Sequence, residues 1–372
     1  MRVALLSGAS SIHTIRWANG LVEAGLEVYV ISQHPQLEPM DARVKVYILP
    51  FRGALGYFTM VPAVKKILRS IKPDIVHAHY ASGYGTTARL VGYHPWLLSV
   101  WGSDVYDFPY KSPLHKWLVR KNLLDADEVA STSICMAKQT RSVVPKLNEI
   151  TITPFGVDTI YYDSLTTSLA NRDFTVPINI GTVKSLAPKY GIDTLIEAFK
   201  IVLINLSKTH PEIEMSLRLR LVGGGPQESE LKALTKQLGI CERIDFVGHV
   251  ESIKVPIELE KLDIYVALSR LDSESFGVAV VEAGAAGRPV IVSNVGGLPE
   301  VVLDNITGLI VPKENPQVAA DAITKLILNR DLRLKMGAAG KEHVLNVYDW
   351  SKCVDIMIKL YTKIITNYKS RK

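Results

Sequence analysis

The sequence predicts an α/β protein with two doubly wound parallel sheets, and three observations support this prediction. Short, continuously apolar segments alternate with helical segments, as they do in β-α-β units. The alternation pauses around residues 154–172 and restarts at residue 178. The length of 372 residues accommodates two domains at a prior of about 150 residues each. Because open parallel sheets bind ligands beyond the carboxyl ends of their strands, we expect two Rossmann-like domains that face each other across a cleft.

The first domain begins with a strand at residues 3–7, which is continuously apolar and is therefore expected to be buried on both faces. A glycine loop follows, and then a helix over about residues 13–24 that ends at Gly25. A basic helix is expected over residues 61–71. Further strands are expected at residues 27–32, 44–49, 74–78, 97–100 and 128–131.

The second domain repeats the alternation after a polar segment at residues 161–172 that is rich in Thr and Ser, as a linker is. Strands are expected at residues 178–180, 217–222, 244–247, 264–268 and 290–292. Helices are expected at residues 193–204, at residues 227–238, from about residue 277, and again near the C-terminus. The predicted boundaries are residues 1–165, residues 166–345, and a C-terminal helix at residues 346–372 that returns to the first domain.

Composition narrows the class of protein without identifying it. Apolar residues make up 47% of the chain and charged residues 22%, which excludes a wholly disordered chain. Three cysteines, far apart in sequence, favour neither a disulfide scaffold nor a zinc site. The net charge of +6 does not by itself identify a partner. Because no uncharged apolar run approaches about 18 residues, and the opening apolar run is too short for a signal peptide, we expect a cytoplasmic protein.

The most informative segment runs from Glu274 to Ala283, after the strand at residues 264–268. A helix is expected to begin near Phe276, and the N–H groups at a helix N-terminus favour an anion such as a phosphate. Glu274 precedes this helix and Glu282 lies about two turns into it. Carboxylates bind sugar hydroxyls through charge-assisted hydrogen bonds, so the pair suits a polyol next to a phosphate. The alternative is an acid favoured by the helix dipole together with an ordinary surface acid.

Two glycine-flanked loops follow neighbouring strands of the same domain. Lys184 and Lys189 lie on the first loop, where two compact positive charges can neutralise a diphosphate. The alternative for these lysines is an ordinary solvated loop. Gly223 to Gly225 form the second loop, where a ligand can approach the backbone closely.

These segments, in this order and spacing, resemble the family-four (group 1) retaining glycosyltransferases of the GT-B fold. The resemblance extends through nearly the whole chain. It includes the opening strand with its glycine loop, residues 74–79, residues 154–158 at the domain junction, residues 293–300 and residues 308–312. The two glutamates with seven intervening residues are its most specific part.

The resemblance implies a donor site in the domain at residues 166–345. Glu274 would bind hydroxyls of the donor sugar, Glu282 the ribose of the nucleotide, and Lys184 with Lys189 the diphosphate. Lys184, Lys189 and Glu274 are therefore the expected catalytic residues. The expected donor-binding residues of that domain are Gly225, Val250, Ser275, Phe276, Gly277 and Glu282. Gly8 is also expected to bind the donor, because its loop would approach the phosphates from the first domain.

The resemblance also implies the acceptor side and the chemistry. The acceptor would bind to the domain at residues 1–165, near His13, Trp101 and Asp104. The mechanism that the resemblance implies is front-face attack with retention of configuration, in which the leaving phosphate accepts the proton of the acceptor hydroxyl. No cofactor is expected, because the nucleotide-diphosphate sugar is a co-substrate, and no essential metal is expected either. No protein side chain is then an obligatory base.

Three positions depart from the family pattern. Lys184 stands where arginine is usual, and Ala9 stands where a second glycine is common. Trp101 replaces a histidine that often precedes the glycine of the loop after the fourth strand. Its indole either stacks on a sugar or packs in the core. These departures leave the donor set in place and make the acceptor side less defined.

Three further signals are interpreted as structural. Residues 83–88 match a dinucleotide-binding fingerprint but do not lie in the first β-α-β unit, where that fingerprint normally occurs. Asp125 and Asp127 match the metal-binding pair of the other glycosyltransferase fold, yet they lie between a helix and a strand, where a capping or solvated role is expected. His77 and His79 share one face of a strand without further metal ligands at suitable spacing, so they are expected to be structural.

Two basic helices of the first domain are candidates for contact with a membrane surface. In one, basic residues lie near Ile67 and Leu68; these are Lys65, Lys66, Arg69 and Lys72. In the other, basic residues surround Leu114, Trp117 and Leu118; these are Lys111, His115, Lys116, Arg120 and Lys121. A basic amphipathic helix with an interfacial Trp fits peripheral lipid binding, whereas the alternative is a solvated helix face.

The sequence therefore predicts a metal-independent, retaining glycosyltransferase that uses a nucleotide-diphosphate sugar. The expected acceptor is a glycan or a lipid-linked precursor of cell-surface polysaccharide, with peripheral contact at the inner face of the cell membrane. No nucleic-acid partner is predicted. Two alternatives stay open, a sugar-nucleotide 2-epimerase of the same fold and a non-catalytic sugar-nucleotide-binding protein.

Overall fold

The computed structural model describes residues 1–147, 149–163 and 177–371. The chain forms two compact units. Unit 1 comprises Met1–Phe155 and Trp350–Lys372, and unit 2 comprises Gly156–Asp349. The predicted boundary between residues 165 and 166, and most of the predicted linker, lie outside the described residues.

Unit 1 contains a sheet of seven parallel strands in the described part of the chain, in the order β3-β2-β1-β4-β5-β6-β7. The strands are β1 (Arg2–Leu6), β2 (Glu27–Ser32), β3 (Lys45–Ile48), β4 (Ile75–His79), β5 (Trp96–Val100), β6 (Glu128–Ser131) and β7 (Thr151–Ile152). The central strands β4 and β5 are buried throughout, because parallel sheets carry helices on both faces. Strand β7 was not predicted, since two residues are too few to give an apolar pattern.

Helices flank this sheet. They are α1 (Ile12–Glu23), α2 (Gly53–Thr59), α3 (Val61–Ile71), α4 (Gly83–Val91), α5 (Ser103–Tyr106), α6 (Pro113–Asp125) and α7 (Ile134–Val143). The start of α6 follows from its sequence. The Ser112 side chain accepts a hydrogen bond from the His115 N–H at 3.4 Å, and Pro113 occupies the first helical position, where no N–H is needed.

Unit 2 contains a sheet of six parallel strands among its described residues, in the order β10-β9-β8-β11-β12-β13. The strands are β8 (Asn179–Val183), β9 (Arg218–Val222), β10 (Ile244–Gly248), β11 (Ile264–Ala267), β12 (Val290–Ser293) and β13 (Gly308–Val311). The longer helices are α9 (Ile192–Thr209), α11 (Glu228–Gln237), α13 (Val278–Ala285), α15 (Pro316–Leu328) and α16 (Arg330–Val347). The shorter helices are α8 (Ile160–Asp163), α10 (Pro211–Ser216), α12 (Val255–Glu260) and α14 (Leu298–Val301).

Each unit has its own hydrophobic core between its sheet and its helices. In unit 2 the fully buried Ile180 and Ile264 meet Phe199 of α9 and Ile323 of α15. Burying side chains of this size stabilises the fold by roughly 1.5–3 kcal/mol each. Two doubly wound parallel sheets confirm the predicted fold class.

The last helix, α17 (Trp350–Ser370), belongs to unit 1. Its buried face comprises Cys353, Val354, Met357, Leu360, Tyr361 and Ile364. The Trp350 ring packs 4.9 Å from that of Trp17 in α1, and Tyr361 Oη lies 2.7 Å from Nδ1 of His77 in β4.

In the described ranges, no helix is both long and apolar enough to cross a membrane.

The order of the strands reverses once in each sheet. In unit 1, β2 and β3 lie on one side of β1, and the chain then crosses to the other side, where β4 pairs with β1. In unit 2, β9 and β10 lie on one side of β8, and β11 pairs with β8 on the other side. Such reversals leave a crevice at the carboxyl ends of the two strands, which is where ligands bind in open α/β sheets. Two candidate sites therefore follow from topology alone.

Candidate functional site

The reversal in unit 2 brings Lys184 and Glu274 into contact. Lys184 directly follows β8, and Glu274 lies on the loop between β11 and α13. Lys184 Nζ donates a hydrogen bond to Glu274 Oε1 at 2.9 Å, and the two side chains are only 14% and 10% exposed. Two of the three predicted catalytic residues thus form an ion pair that is largely shielded from water.

Lys184 keeps its positive charge in this environment. Burial lowers the pKa of Lys184, but the negative charge of Glu274 and the nearby hydroxyls of Tyr265 and Tyr190 outweigh this effect. The net result is a pKa above the ordinary value for lysine. Burial also raises the pKa of Tyr265 to about 12, so that hydroxyl stays neutral beside the ion pair.

Lys189, the third predicted catalytic residue, shares an aromatic neighbour with Lys184. The ammonium groups of Lys184 and Lys189 lie 4.6 Å and 4.7 Å from the centre of the Tyr190 ring. These distances are in the range of cation–π contacts. Lys184 is half-buried and Lys189 is exposed. The Tyr190 ring therefore contacts two positive charges of the same loop, an inner one that is partly shielded from water and an outer one that is exposed to it.

Arg270, which the sequence analysis missed, fixes this loop. Its backbone N–H donates to the Lys189 carbonyl at 2.8 Å, and its guanidinium donates to Asp193 Oδ1 at 2.7 Å and to Thr194 Oγ1 at 2.8 Å. The loop is thereby tied to the first turn of α9. A basic residue soon after β11, at the carboxyl edge of the sheet, is the signal that could have identified it.

The glycine loop after β9 packs directly against the lysine loop. The Leu186 N–H donates to the Gly224 carbonyl at 3.0 Å. A Cβ atom at Gly225 would collide with the Leu186 carbonyl, so any larger residue there would push the two loops apart. Val250 lies two residues beyond the end of β10, which ends at Gly248, within one residue of its predicted end.

Helix α13 begins later than the sequence suggested. We predicted a start near Phe276, but Gly277 has a φ of 92° and the helix begins at Val278. Ser275 and Phe276 are buried on the preceding loop, and the Phe276 ring packs edge-on at 5.7 Å from that of Tyr348. Glu282 is half-buried and lies one turn into the helix. The N–H groups of the first turn, which precede it, are suited to binding an anion.

The reversal in unit 1 holds an open cavity of about 280 Å³, which we name the unit 1 cavity. Gly8, which follows β1, is one of its lining residues. Other lining residues come from the same loop after β1, from beyond the ends of β2 and β4, and from α2; they include Ser10, His34, Tyr57, Tyr80 and Tyr84. Gly8 was predicted from the sequence as a site residue, but these others were not. Residues 83–88, which match a dinucleotide-binding fingerprint and were interpreted as structural, begin at this cavity and lie in α4.

The predicted acceptor-side residues His13 and Trp101 belong to an aromatic cluster in unit 1. The His13 ring stacks on Phe155 at 4.2 Å and lies 5.9 Å from Trp101, whose ring is 4.0 Å from His79. Trp101 is 9% exposed, so most of its indole packs in the core. Burial, together with the smaller effect of the Arg16 charge, lowers the pKa of His13 to about 4, so His13 is neutral near pH 7.

Asp104, the remaining acceptor-side candidate, is buried and bonded to the backbone. It accepts hydrogen bonds from the N–H groups of Ala81 at 2.7 Å, Gly102 at 2.9 Å and Trp101 at 3.2 Å. Burial raises its pKa, although these hydrogen bonds act in the opposite direction. The carboxyl group joins the loops after β4 and β5 and sets the position of Trp101.

The residues interpreted as structural have structural contacts. His77 lies between Tyr361 Oη and Ser99 Oγ, both at 2.7 Å, and His79 Nδ1 lies 2.9 Å from Ser7 Oγ. Asp127 accepts a hydrogen bond from the Trp96 N–H at 2.8 Å. Within residues 1–147, 149–163 and 177–371, no group of three or more His, Cys, Asp or Glu side chains is arranged to hold a metal ion.

Two sequence families match this chain. Residues 173–343 match the family described as glycosyl transferases group 1, and residues 2–133 match the family described as glycosyl transferase 4-like. Together the two matches span most of both units.

Similar sequences include two enzymes of sugar transfer to inositol compounds. One is a GDP-mannose-dependent alpha-(1-6)-phosphatidylinositol monomannoside mannosyltransferase of Mycobacterium tuberculosis, 34% identical over 170 residues. That match covers 44% of this chain and 42% of the relative, which is less than half of the relative's length. The other is a D-inositol 3-phosphate glycosyltransferase of Corynebacterium efficiens, 27% identical over 97% of this chain and 91% of that protein.

Solved structures show the same fold at lower identity. A sucrose-phosphate synthase from Thermosynechococcus elongatus has a TM-score of 0.82 and 20% identity, covering 99% of this chain and 100% of that chain. The Anabaena protein HepE, solved in complex with UDP, has a TM-score of 0.77 and 16% identity, covering 97% of this chain and 99% of that chain.

Proposed function

Because this chain belongs to the group 1 glycosyltransferases and has the GT-B fold, we propose that it moves a sugar, with retention, from a nucleotide-diphosphate sugar to a glycan or lipid-linked acceptor. The observation that carries the proposal is the Lys184–Glu274 ion pair at the strand reversal of unit 2, with Lys189 on the same loop. One relative uses GDP-mannose, and HepE binds UDP and UDP-glucose, which supports a donor of this class.

The ion pair suits both ends of such a donor. Breaking the bond between sugar and phosphate leaves negative charge on the diphosphate, and fixed cations stabilise that charge. Lys184 and Lys189 supply these cations, and Arg270 holds their loop in place. Glu274 can then exchange its contact with Lys184 for the hydroxyls of the donor sugar, so neither buried charge is left without a partner.

The proposed reaction needs no carboxylate nucleophile. The acceptor hydroxyl attacks the anomeric carbon on the face from which the diphosphate departs, and a phosphate oxygen accepts its proton. The new glycosidic bond therefore keeps the anomeric configuration of the donor. Chelation should leave the rate unchanged, because two lysines and the helix N–H groups hold the phosphates.

Donor binding is the direct test of this proposal. Among UDP, GDP and ADP sugars, we expect one class to raise the melting temperature, since a ligand at 100 times its Kd adds about 2.7 kcal/mol of stability. Glu282→Ala should weaken that shift because it removes the expected ribose contact. Glu251→Ala, which removes a carboxylate with a 70% exposed side chain, is the matched control and should leave the shift unchanged.

Two results would contradict the donor proposal. One is that no nucleotide sugar stabilises the protein, and the other is that Glu282→Ala binds every donor as tightly as the unmodified chain does. Once a product forms, the coupling constant of its anomeric proton in NMR spectra tests retention. Products linked to lipid or polysaccharide precursors support the proposed role in cell-surface polysaccharide synthesis.

We further propose that α6 contacts an anionic lipid surface. Leu114 is 67% exposed, Trp117 is 50% exposed, and Arg120 and Lys121 are exposed on the same helix. Exposed apolar side chains flanked by basic residues favour the interface of an anionic bilayer. The basic helix α3 differs, because its apolar residue Leu68 is buried in the core and leaves no comparable apolar face.

Vesicle sedimentation tests this contact. With vesicles containing phosphatidylglycerol, Trp117→Ser combined with Arg120→Ser should weaken binding about tenfold. Removing one basic residue near the surface costs about 1 kcal/mol, which is about fivefold, and removing the interfacial Trp adds to that loss. Lys66→Ser on α3, which removes one exposed positive charge as Arg120→Ser does, is the control of equal charge loss and should have a smaller effect. Equal binding of the α6 variant and the unmodified chain would contradict the proposal.

A further inference from the structure

We propose that the unit 1 cavity binds an uncharged sugar or cyclitol ring of the acceptor, and that His34 and Tyr57 determine its specificity. This inference rests on the proposed function, because it assigns the acceptor's recognised group. It concerns residues other than the acceptor-side candidates of the sequence analysis, none of which lines the cavity.

The place and size of the cavity suit one ring. It lies where the strand order reverses between β1 and β4, which is the expected ligand position in this unit. Its volume of about 280 Å³ is near the lower limit of small-molecule pockets, which start at about 300 Å³. A single ring fits that space better than a nucleotide does.

The chemistry of the lining favours an uncharged polyol. Three tyrosines and a histidine offer aromatic faces, and hydroxyl groups come from the tyrosines and from serines such as Ser82. Aromatic faces pack against the C–H groups of a sugar ring, while hydroxyls hydrogen-bond to its oxygens. The nine described lining residues include no Lys, Arg, Asp or Glu, so a charged group would enter without an ionic partner.

His34 has a defined orientation in the wall of the cavity. Its Nδ1 lies 2.8 Å from Tyr84 Oη, and Tyr84 Oη also accepts a hydrogen bond from the Gln33 N–H at 3.1 Å. Burial lowers the pKa of His34, which keeps the imidazole neutral near pH 7. An oriented, neutral imidazole can distinguish the positions of ring hydroxyls.

Tyr80 shows that the chain maintains this wall at an energetic cost. Its φ is 70°, in the strained left-handed region that bulky residues rarely adopt. The Tyr80 N–H donates to the Ser99 carbonyl at 2.9 Å, and the Tyr80 carbonyl accepts from the Gly85 N–H at 3.0 Å. Strained residues of this kind cluster at functional sites.

Saturation-transfer difference NMR on the full chain tests the proposal. The probes are myo-inositol, methyl α-glucoside and methyl α-mannoside, each compared with a phosphorylated counterpart, with and without the best-binding nucleoside diphosphate. We expect at least one neutral probe to receive saturation more strongly than its phosphorylated form. His34→Ala and Tyr57→Leu should each reduce that signal about fivefold or more, whereas Tyr110→Leu, at an exposed tyrosine outside the cavity, should not.

The possible outcomes separate this inference from the proposed function. If no neutral probe binds, if the phosphorylated probes bind better, or if Tyr57→Leu keeps the full signal in a protein of normal melting temperature, the inference is overturned. Failure of every nucleotide sugar to stabilise the chain would instead overturn the proposed function. Two variants are used so that misfolding of one does not decide the result.

Discussion

Replacing Lys184 with methionine is expected to lower kcat/KM for sugar transfer by a factor of about 100 or more. Lys184 is the inner of two cations that we assign to the departing diphosphate, and removing one group that stabilises such charge typically costs 10²–10³ in rate. The loss should appear mainly in kcat, because the charge develops in the transition state. Steady-state kinetics over a donor concentration series measures both parameters.

The same substitution should also destabilise the protein. It leaves Glu274, whose side chain is 10% exposed, without its cation, and breaking such a pair costs about 3–5 kcal/mol. Adding Glu274→Gln removes the unpaired charge, so Lys184→Met with Glu274→Gln should recover most of the stability in urea denaturation. It should not recover activity. A double variant with normal kcat/KM would show that neither charge takes part in the reaction.

Lys189→Met is the matched comparison on the same loop. Its ammonium contacts the same Tyr190 ring, but the residue is exposed. We expect a clear loss of activity with less than about 1 kcal/mol of destabilisation, because exposed charges contribute little to folding. Separating the two effects in this way distinguishes electrostatic catalysis from a structural defect.

Unit 1 is expected to lose stability steeply when the pH falls below about 6.5, because it buries His77 and His79 as neutral side chains. Burial lowers the pKa of His77 to about 3. Burial, together with the charges of His77 and His13, keeps the pKa of His79 well below its ordinary value. Unfolding lets both imidazoles return to a pKa of about 6.5, so the unfolded state binds more protons in acid.

The sign and size of this effect follow from proton linkage. Above the unfolded pKa, both histidines are neutral in either state and the contribution to stability is fully present. Below it, each histidine costs about 1.4 kcal/mol per pH unit until its folded pKa is reached. At pH 5 the two together remove about 4 kcal/mol, a large part of a typical total of 5–15 kcal/mol.

Urea denaturation at several pH values between about 7 and 5 measures this slope. His77→Gln with His79→Gln should reduce it to the smaller slope that the buried, neutral His13 still contributes, even if the double substitution lowers stability at neutral pH. A double variant that keeps the slope of the unmodified chain would show that other groups take up the protons.

The strands could be predicted because buried parallel strands such as residues 3–6 are continuously apolar, and that property is local in sequence. Lys184 and Glu274 could be predicted for a related reason, since each directly follows a predicted strand or precedes a predicted helix. That they form a pair, 2.9 Å apart, depends on β8 and β11 being neighbours. No local pattern specifies that adjacency.

The unit 1 cavity could not be predicted for the same physical reason. His34, Tyr57 and Tyr80 lie on three separate segments, and only the order β2-β1-β4 brings them together. The start of α13 was also missed, because a glycine changes the direction of the backbone there. Gly277 has a φ of 92°, and α13 begins only at Val278.

Unit 1 is made from two distant stretches of chain, and this has a consequence for its biosynthesis. The ribosome synthesises Met1–Phe155 first, then all of unit 2, and only afterwards α17. Until α17 emerges, Trp17 and His77 lack Trp350 and Tyr361, their partners on that helix. The apolar surface of unit 1 that α17 covers therefore stays exposed while Gly156–Asp349 is translated. A chaperone would be needed during that period.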